Sequence, residues 1–233
     1  MKIEVWSDYV CPFCYIGKRK LEHALNNFEH KDQVEVVYRS FQLDPDAPKN
    51  ASEDTVSALA KKYGMSYDQA VDMTNNVVAQ AKEVGLDYDF SKMKRTNTQD
   101  AHRLTHFAAE HGKDGVLTEK LLSAYFLESK HIGDHDQLVA IAEEAGLNGE
   151  KAREVLESDQ YAAEMNADIQ KAAQIGVSGV PFFVLENKYA ISGAQPDEVF
   201  TQALEKVWEE TNQSPLVNVG GQGNACTDDS CDV

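Results

Sequence analysis

The sequence is poor in cysteine, in positive charge and in long apolar runs. Its 233 residues include only 4 cysteines, too few for a scaffold held together by disulfides. Its 22 Lys and Arg face 39 Asp and Glu, giving a formal net charge of −17, which opposes binding to nucleic-acid phosphates or anionic lipid. No run approaches the roughly 20 apolar residues of a membrane span, and no signal-peptide pattern opens the chain. We therefore expect a cytoplasmic protein without a nucleic-acid or membrane partner.

The cysteines that are present form two pairs at opposite ends of the chain. Cys11 and Cys14 make a C-x-x-C pair, and Cys226 and Cys231 make a C-x4-C pair. The second pair is predicted to be a second redox pair that exchanges electrons with the first. An incidental or metal-scavenging pair is the alternative for Cys226 and Cys231, and the two pairs together could instead bind one zinc ion through four thiolates.

The first pair lies in Cys11-Pro12-Phe13-Cys14, between an apolar run that begins at Ile3 and a helical pattern. Free N–H groups and the helix dipole at such a strand-to-helix junction stabilise the thiolate of the first cysteine. Pro12 suits the first helical position because it has no N–H to lose. The motif predicts a redox-active dithiol in which Cys11 attacks a disulfide and Cys14, one turn further on, resolves the mixed disulfide.

The remaining pattern predicts a mixed α/β chain interrupted by a helical segment. Strand, helix and strand at the start form a β-α-β unit, a helical region extends from 52 to 158, and a helix, a β-hairpin and a final helix follow. Residues 214–233 lack periodicity and carry glycine, proline and aspartate, which predicts a flexible tail containing the second cysteine pair. The predicted elements and helix start signals are Ile3–Ser7, Pro12 to about Phe28, Val34–Phe41, Ser66 with Gln69, Asn97 with Asp100, Asp134 with Gln137, Tyr161–Gln174, Phe182–Leu185, Tyr189–Ile191 and a last helix from Pro196.

Three stretches of the sequence resemble one family. Residues Trp6–Gly17 read W-S-D-Y-V-C-P-F-C-Y-I-G, Gly176–Val184 read G-V-S-G-V-P-F-F-V, and Asn97–Leu104 contain N-T followed by A-H-R-L. Together they resemble the DsbA-like thioredoxin-fold oxidoreductases, and most closely the FrnE-type branch. The resemblance implies a thioredoxin fold with a large all-helical insertion between its β-α-β and β-β-α halves. Residues 1–51 and 159–213 would then form one discontinuous domain, 52–158 the insertion and 214–233 the tail.

The resemblance also implies a substrate-binding surface around the dithiol. In that family the proline corresponding to Pro181 is cis and faces the dithiol, and the backbone at Val180 pairs with an extended substrate segment. Pro12 and Phe13 would complete this surface. Phe13 stands where the periplasmic oxidants of the family carry histidine, so a cation that would stabilise the thiolate of Cys11 is missing and strong oxidising power is not expected.

The predicted function is that of a thiol-disulfide oxidoreductase acting on protein disulfides or small-molecule thiols. It needs no cofactor beyond its dithiol, and glutathione could serve as co-substrate. A glutathione-dependent isomerase or transferase, of the 2-hydroxychromene-2-carboxylate isomerase or kappa class, is the main alternative, although those relatives typically carry Ser at the position of Cys11. A redox-regulated, chaperone-like binding protein is the second alternative.

No metal site is predicted. His102 and His106 share a helix face, but no glutamate follows His102 as in an H-E-x-x-H zinc motif. The resemblance places Asn97 and His102 toward the cleft without a chemical role. Asp8, three residues before Cys11, would oppose the helix dipole if its carboxylate pointed at the sulfur.

Overall fold

The computed structural model describes residues 1–50 and 53–212 in full, and the backbone alone of 226–227 and 230–231. The elements in chain order are β1 (Lys2–Ser7), α1 (Pro12–Asn26), β2 (Glu35–Ser40), α2 (Thr55–Tyr63), α3 (Tyr67–Glu83), α4 (Gln99–Ala109), α5 (Asp114–Phe126), α6 (His135–Glu144), α7 (Gly149–Leu156), α8 (Ala162–Gln174), β3 (Phe182–Leu185), β4 (Tyr189–Ser192), α9 (Asp197–Asn212), β5 (Cys226–Thr227) and β6 (Ser230–Cys231), with a 3₁₀ turn at Lys31–Gln33.

The main sheet has the strand order β2-β1-β3-β4. β1 is parallel to β2 and antiparallel to β3, so that Val5 lies opposite Tyr38 on one side and Phe183 on the other. β3 and β4 form the predicted antiparallel hairpin. Helices α2 to α7 lie in the chain between the β-α-β and β-β-α halves. This is a thioredoxin fold with a helical insertion, and the predicted α/β fold class is confirmed.

Alternation along β1 gives the sheet two different faces. Ile3 and Val5 belong to a core with Phe200 and Leu204 of α9 and Leu21 of α1. The face of the sheet that carries Ile3 and Val5 is therefore covered by α1 and α9. Because side chains alternate along a strand, Glu4 and Trp6 face the opposite way.

The opposite face is covered by α8. Trp6 of β1 is fully buried there, and its indole N–H donates to the carbonyl of Asp168 over 3.0 Å. Glu4 of the same face accepts from Lys171 Nζ over 2.7 Å and from Arg39 Nε over 2.8 Å. Burial alone would raise the pKa of the Glu4 carboxyl, but these two cations outweigh it and leave that pKa below its ordinary value.

The helices of the insertion bury a second and larger core. It takes in Tyr9, Tyr15 and Ile16 from the dithiol end of the β-α-β unit, so the insertion packs directly on the start of α1. Its members include Leu86, Tyr88, Phe90, Met93, Leu104, Phe107, Leu117, Leu121, Leu122, Phe126, Leu138 and Ile141. The dithiol therefore lies where the two cores meet.

The helix starts follow the predicted signals at α3 and α6 but not at α4. Ser66 and Gln69 form a reciprocal capping box at α3, and Asp134 caps α6. α4 begins after Thr98 rather than Asn97, so the prediction of Asn97 as the helix start is wrong. The Asn97 side chain still accepts the Gln99 N–H over 2.8 Å, but its amide is used to hold another segment.

Arg103 of α4 is buried and donates hydrogen bonds to carbonyls at the C-terminal end of α7 and just beyond it. Its guanidinium donates to the carbonyls of Val155 and Ser158, to that of Gln160 over 2.8 Å, and to Asp100 Oδ1 over 2.9 Å. Carbonyls at and just after a helix end lack intrahelical donors. The buried cation supplies a donor to those of Ser158 and Gln160 and a further donor to that of Val155, which also accepts from Ser158. Across the ranges described above, no helix is long and apolar enough to cross a membrane.

Candidate active site

The dithiol occupies the junction between β1 and α1, as the sequence predicts. Cys11 is the N-cap residue of α1, Pro12 is its first residue, and Cys14 lies in the first turn with its N–H donating to the Cys11 carbonyl over 3.0 Å. Both cysteines are free thiols. Only 4% of Cys11 and 2% of Cys14 is exposed, so a reaction partner must come to the sulfur through the adjoining cavity.

Val180 and Pro181 lie against the dithiol, at the start of β3. The Cys11 thiol donates to the Val180 carbonyl oxygen over 3.4 Å, and the Val180–Pro181 peptide bond is cis. Pro181 is buried against α1, whereas Val180 is half-exposed. Phe13, between the cysteines, is 37% exposed. The predicted site residues near the dithiol are thus brought together around one sulfur.

The second sulfur is held in a different environment. Cys14 Sγ accepts the backbone N–H of Asp8 over 3.4 Å. Burial, and after it the hydrogen bond and charge of Cys11, raise the pKa of the Cys14 thiol well above its ordinary value. Cys14 is therefore a protonated thiol at neutral pH, and Cys11 is the better placed nucleophile.

Asp8 is fully buried, and its carboxylate is occupied by partners other than sulfur. Oδ1 lies 3.3 Å from His102 Nε2 of α4, and Oδ2 accepts the Leu43 N–H over 2.8 Å. His102 is therefore a buried partner of the dithiol loop. Leu43, which Asp8 holds, forms part of the cavity wall beside Cys11.

Asn97 secures the same wall at a second point. Its amide nitrogen donates to the carbonyls of Pro45 over 2.9 Å and Ala47 over 3.0 Å. Asn97 thus holds the segment that follows β2 directly, whereas His102 acts on it through Asp8, which accepts the Leu43 N–H. Sequence reasoning placed both near the cleft but missed these contacts, because they join residues about fifty to ninety positions apart.

His106 does not share a ligand site with His102. Its Nε2 lies 3.1 Å from Ser40 Oγ and 3.3 Å from Asp168 Oδ2. Among the residues whose side chains are described, no group of at least three His, Cys, Asp or Glu is placed to hold a metal ion. The side chains of Cys226 and Cys231 lie outside the described residues, so the zinc alternative and the second redox pair stay predictions.

A cavity of about 960 Å³ opens beside Cys11 between the dithiol and the insertion. Much of its wall is apolar and comes from α2, α3 and the segment after β2; examples are Val10, Leu43, Leu59, Met73, Val77 and Phe90. Two ion pairs contribute to its wall, Arg95 with Asp44 and Lys61 with Glu53, and Lys62 also lines it. A volume of this size can accept a drug-sized molecule or a short peptide segment.

Tyr88 is a site residue that sequence reasoning missed. It lies in the irregular segment between α3 and α4, and its hydroxyl donates to the Pro12 carbonyl oxygen over 2.9 Å. No periodicity or motif marks this position. The insertion therefore contacts the C-x-x-C turn directly.

A dithiol at the start of a helix, facing a proline at the start of β3, defines a thioredoxin-fold thiol protein. The model of the DSBA-like thioredoxin domain matches residues 2–205. The chain belongs to this DsbA-like family of thiol oxidoreductases, and the predicted family is confirmed.

Two relatives and one structural neighbour show what this chain is similar to. The probable DsbA oxidoreductase SCO1869 of Streptomyces coelicolor is 43% identical, with 100% of this chain and 99% of that chain covered and a TM-score of 0.86. The uncharacterised protein YwbO of Bacillus subtilis is 31% identical over 209 residues, covering 87% of this chain and 94% of YwbO. The cytosolic disulfide reductase DsbM of Pseudomonas aeruginosa, solved with GSH, is 18% identical, with 88% and 98% coverage and a TM-score of 0.57, and at that identity it shares the fold alone.

Proposed function

We propose that this protein is a cytoplasmic thiol-disulfide oxidoreductase of the FrnE-type branch that uses Cys11 and Cys14 as its redox-active pair. The observation that supports this most directly is the contrast between the two sulfurs. Cys11 lies at the helix start and borders the cavity, whereas burial keeps Cys14 protonated behind it. That asymmetry separates the attacking thiol from the resolving thiol.

The reaction proceeds in two exchanges. The Cys11 thiolate attacks one sulfur of a substrate disulfide, forms a mixed disulfide and releases the other sulfur as a thiolate. Cys14 then loses its proton and attacks Cys11 Sγ, which closes the Cys11–Cys14 disulfide and releases the second substrate thiolate. The substrate gains two electrons and the dithiol loses two. The reverse sequence oxidises a dithiol substrate, and the potential of the couple sets the net direction.

Val180 and Pro12 are proposed to bind the substrate backbone or the groups beside its disulfide. Val180 is half-exposed beside Cys11, which suits an extended segment that pairs with it. Phe13 offers an exposed apolar ring next to the same sulfur. Both protein disulfides and small disulfides fit this arrangement, and glutathione is the proposed small co-substrate, in keeping with the GSH named with DsbM.

Cys226 and Cys231 are proposed to exchange electrons with the first pair. In the backbone of β5 and β6 these two residues are direct partners across an antiparallel pair. Such partners have Cα atoms about 4.5–5.5 Å apart, within the range that a disulfide requires. Changing both to Ser should slow the reduction or reoxidation of the Cys11–Cys14 disulfide, and unchanged kinetics would refute the exchange.

Trapping in cells tests the main proposal. Cys14→Ala removes the resolving thiol, so mixed disulfides should accumulate on Cys11, and mass spectrometry identifies whether the captured partner is a protein or glutathione. Cys11→Ser is the matched control and should capture nothing. If Cys14→Ala traps nothing and purified protein fails to reduce insulin while turning over glutathione adducts, the isomerase or transferase alternative is correct. Chaperone activity that survives loss of both cysteines would support the binding-protein alternative instead.

A further inference from the structure

Tyr88 touches the dithiol turn at a backbone atom. Its hydroxyl donates over 2.9 Å to the carbonyl oxygen of Pro12, which lies between the two cysteines. Only 4% of Tyr88 is exposed. A hydrogen bond from a buried phenol to a backbone carbonyl is stronger in the low dielectric of the interior than in water.

Packing on the ring fixes the position of this hydroxyl. The Tyr88 ring stacks on Phe126 at 4.7 Å between centroids, meets Phe90 edge-on at 6.0 Å and lies 6.3 Å from Tyr15. Burial, followed by the charges of Tyr15 and Cys11, raises the pKa of Tyr88 far above its ordinary value. The hydroxyl therefore keeps its proton and remains a donor throughout the neutral range.

The carbonyl that Tyr88 contacts belongs to the same peptide unit as the Phe13 N–H. Phe13 is the second residue of α1, and an N-cap side chain ordinarily accepts the N–H of the second or third residue. The third N–H, that of Cys14, already donates to the Cys11 carbonyl. In the described part of the chain the Phe13 N–H has no acceptor of its own, so it is available to the N-cap sulfur.

Deprotonation changes what Cys11 requires from its surroundings. The thiol donates to the Val180 carbonyl and makes no cap bond, but a thiolate has no proton to donate and becomes an acceptor. A hydrogen bond received by the Pro12 carbonyl polarises the peptide and makes the Phe13 N–H a stronger donor. The Tyr88 hydroxyl can therefore act on the Cys11 sulfur through the Pro12–Phe13 peptide, a path called the relay below.

We propose that Tyr88 is a positioning residue that stabilises the Cys11 thiolate through the Pro12–Phe13 peptide. This inference rests on the proposed role of Cys11 as the attacking thiol. It assigns to the helical insertion a part in the chemistry of the dithiol, besides forming the cavity wall.

A test of this proposal must leave the other charged groups around Cys11 unchanged. The carboxylate of Asp8 is held by His102, and two further pairs flank the cavity. The charged groups nearest the dithiol and its cavity are Asp8, His102, Asp44, Arg95, Glu53, Lys61 and Lys62, together with the Cys14 thiol. A change confined to the Tyr88 hydroxyl leaves all of them in place.

The test is Tyr88→Phe, which keeps the ring packing and removes only the hydroxyl. The rate of Cys11 alkylation by iodoacetamide is followed against pH by peptide mass spectrometry, in a background where Cys226 and Cys231 are Ser. If one polarised peptide contributes about 10–30% of a charged hydrogen bond of about 1.5–3 kcal/mol, the equilibrium constant for deprotonation of Cys11 falls about 1.3- to 4.6-fold. The midpoint of the profile then rises by about 0.1–0.7 pH units.

Tyr125→Phe is the matched control. Tyr125 is also a buried tyrosine of the insertion whose hydroxyl donates to a backbone carbonyl, that of Lys94, over 3.1 Å. The Tyr125→Phe substitution should leave the midpoint of the Cys11 alkylation profile unchanged. An unchanged or lower midpoint in Tyr88→Phe, or an equal rise in Tyr125→Phe, would overturn the proposal. Because alkylation needs no disulfide substrate, this result is independent of whether the wild-type protein reduces disulfides, so failure of the relay and failure of the proposed function are distinguishable.

Discussion

Gly17→Ala is the substitution that most directly separates the dithiol helix from the proline that faces it. Gly17 lies on the face of α1 toward β3. A Cβ there would be 2.9 Å from Pro181 Cγ, 3.2 Å from Phe183 Cζ and 3.6 Å from Ala194 Cβ. Pro181 and Phe183 are both buried, so neither ring can move aside into solvent. The methyl group must push α1 and the start of β3 apart.

Two opposing effects set the expected stability change. Adding a methyl group to a packed interface costs about 1–3 kcal/mol, and replacing Gly by Ala inside a helix returns about 0.8–1.0 kcal/mol. Gly17→Ala should therefore destabilise the fold by roughly 0–2 kcal/mol. Activity should suffer more, because displacing Pro181 lengthens the 3.4 Å contact between Cys11 and the Val180 carbonyl. Misplacement of reacting groups by a fraction of an ångström can cost about tenfold in kcat/KM.

Urea unfolding under reducing conditions measures the stability change, and insulin reduction measures kcat/KM. Gly115→Ala is the matched control, since Gly115 also lies in a helix and its added Cβ would meet only Tyr38 Cε2 at 3.9 Å. That control should gain about 0.5–1 kcal/mol and keep full activity. If Gly17→Ala is stabilised to the same extent and remains fully active, the close approach of Pro181 to α1 does not matter and the reasoning is refuted.

Three further substitutions test other parts of the structure. Phe13→His places a cation beside the Cys11 thiolate, so the equilibrium with glutathione should shift toward the dithiol by about tenfold, or about 30 mV; a redox titration that gives a lower potential contradicts this. Burial alone would raise the pKa of the Glu119 carboxyl, but hydrogen bonds from Lys18 and Tyr15 outweigh it and leave the pKa below its ordinary 4.5. The charged Glu119 carboxylate therefore adds to the free energy of unfolding above about pH 4.5. This contribution is lost as the pH falls through the lowered pKa of the folded state. Glu119→Gln should therefore reduce the free energy of unfolding at pH 7 much more than at pH 2, and urea titrations showing equal losses would exclude this explanation. Arg103→Met leaves the carbonyls of Ser158 and Gln160 without their donor and should cost about 2–6 kcal/mol at about 1–3 kcal/mol for each, so a loss below about 1 kcal/mol in urea unfolding would show that water or other donors replace it.

The sequence was most informative where one short pattern determines local structure. The C-x-x-C motif with Pro12 predicted the β1–α1 junction, and the N-cap signals at Ser66 and Asp134 predicted helix starts from residues three apart. The β3–β4 hairpin followed from strand residues on both sides of Asn187. Each of these features depends on interactions within a few residues, which a linear pattern can report.

What the sequence could not give depends on contacts across the chain. Asn97 looks like a helix cap, but its amide nitrogen donates to carbonyls about fifty positions away, and α4 begins after Thr98. Tyr88 stands in a segment without periodicity, so nothing local separates it from an ordinary core tyrosine. The direction of the Asp8 carboxylate also depends on His102, which another part of the chain supplies.

Asp8 serves three parts of the molecule through three different groups. Its carbonyl accepts the Cys11 N–H over 3.1 Å, its own N–H donates to Cys14 Sγ, and its carboxylate contacts His102 and the Leu43 N–H. Any substitution other than proline can preserve the first two contacts, since both use backbone atoms. Position 8 is therefore a separation-of-function site, where a change of side chain can detach the insertion from the dithiol loop while the hydrogen bonds to both cysteines remain intact.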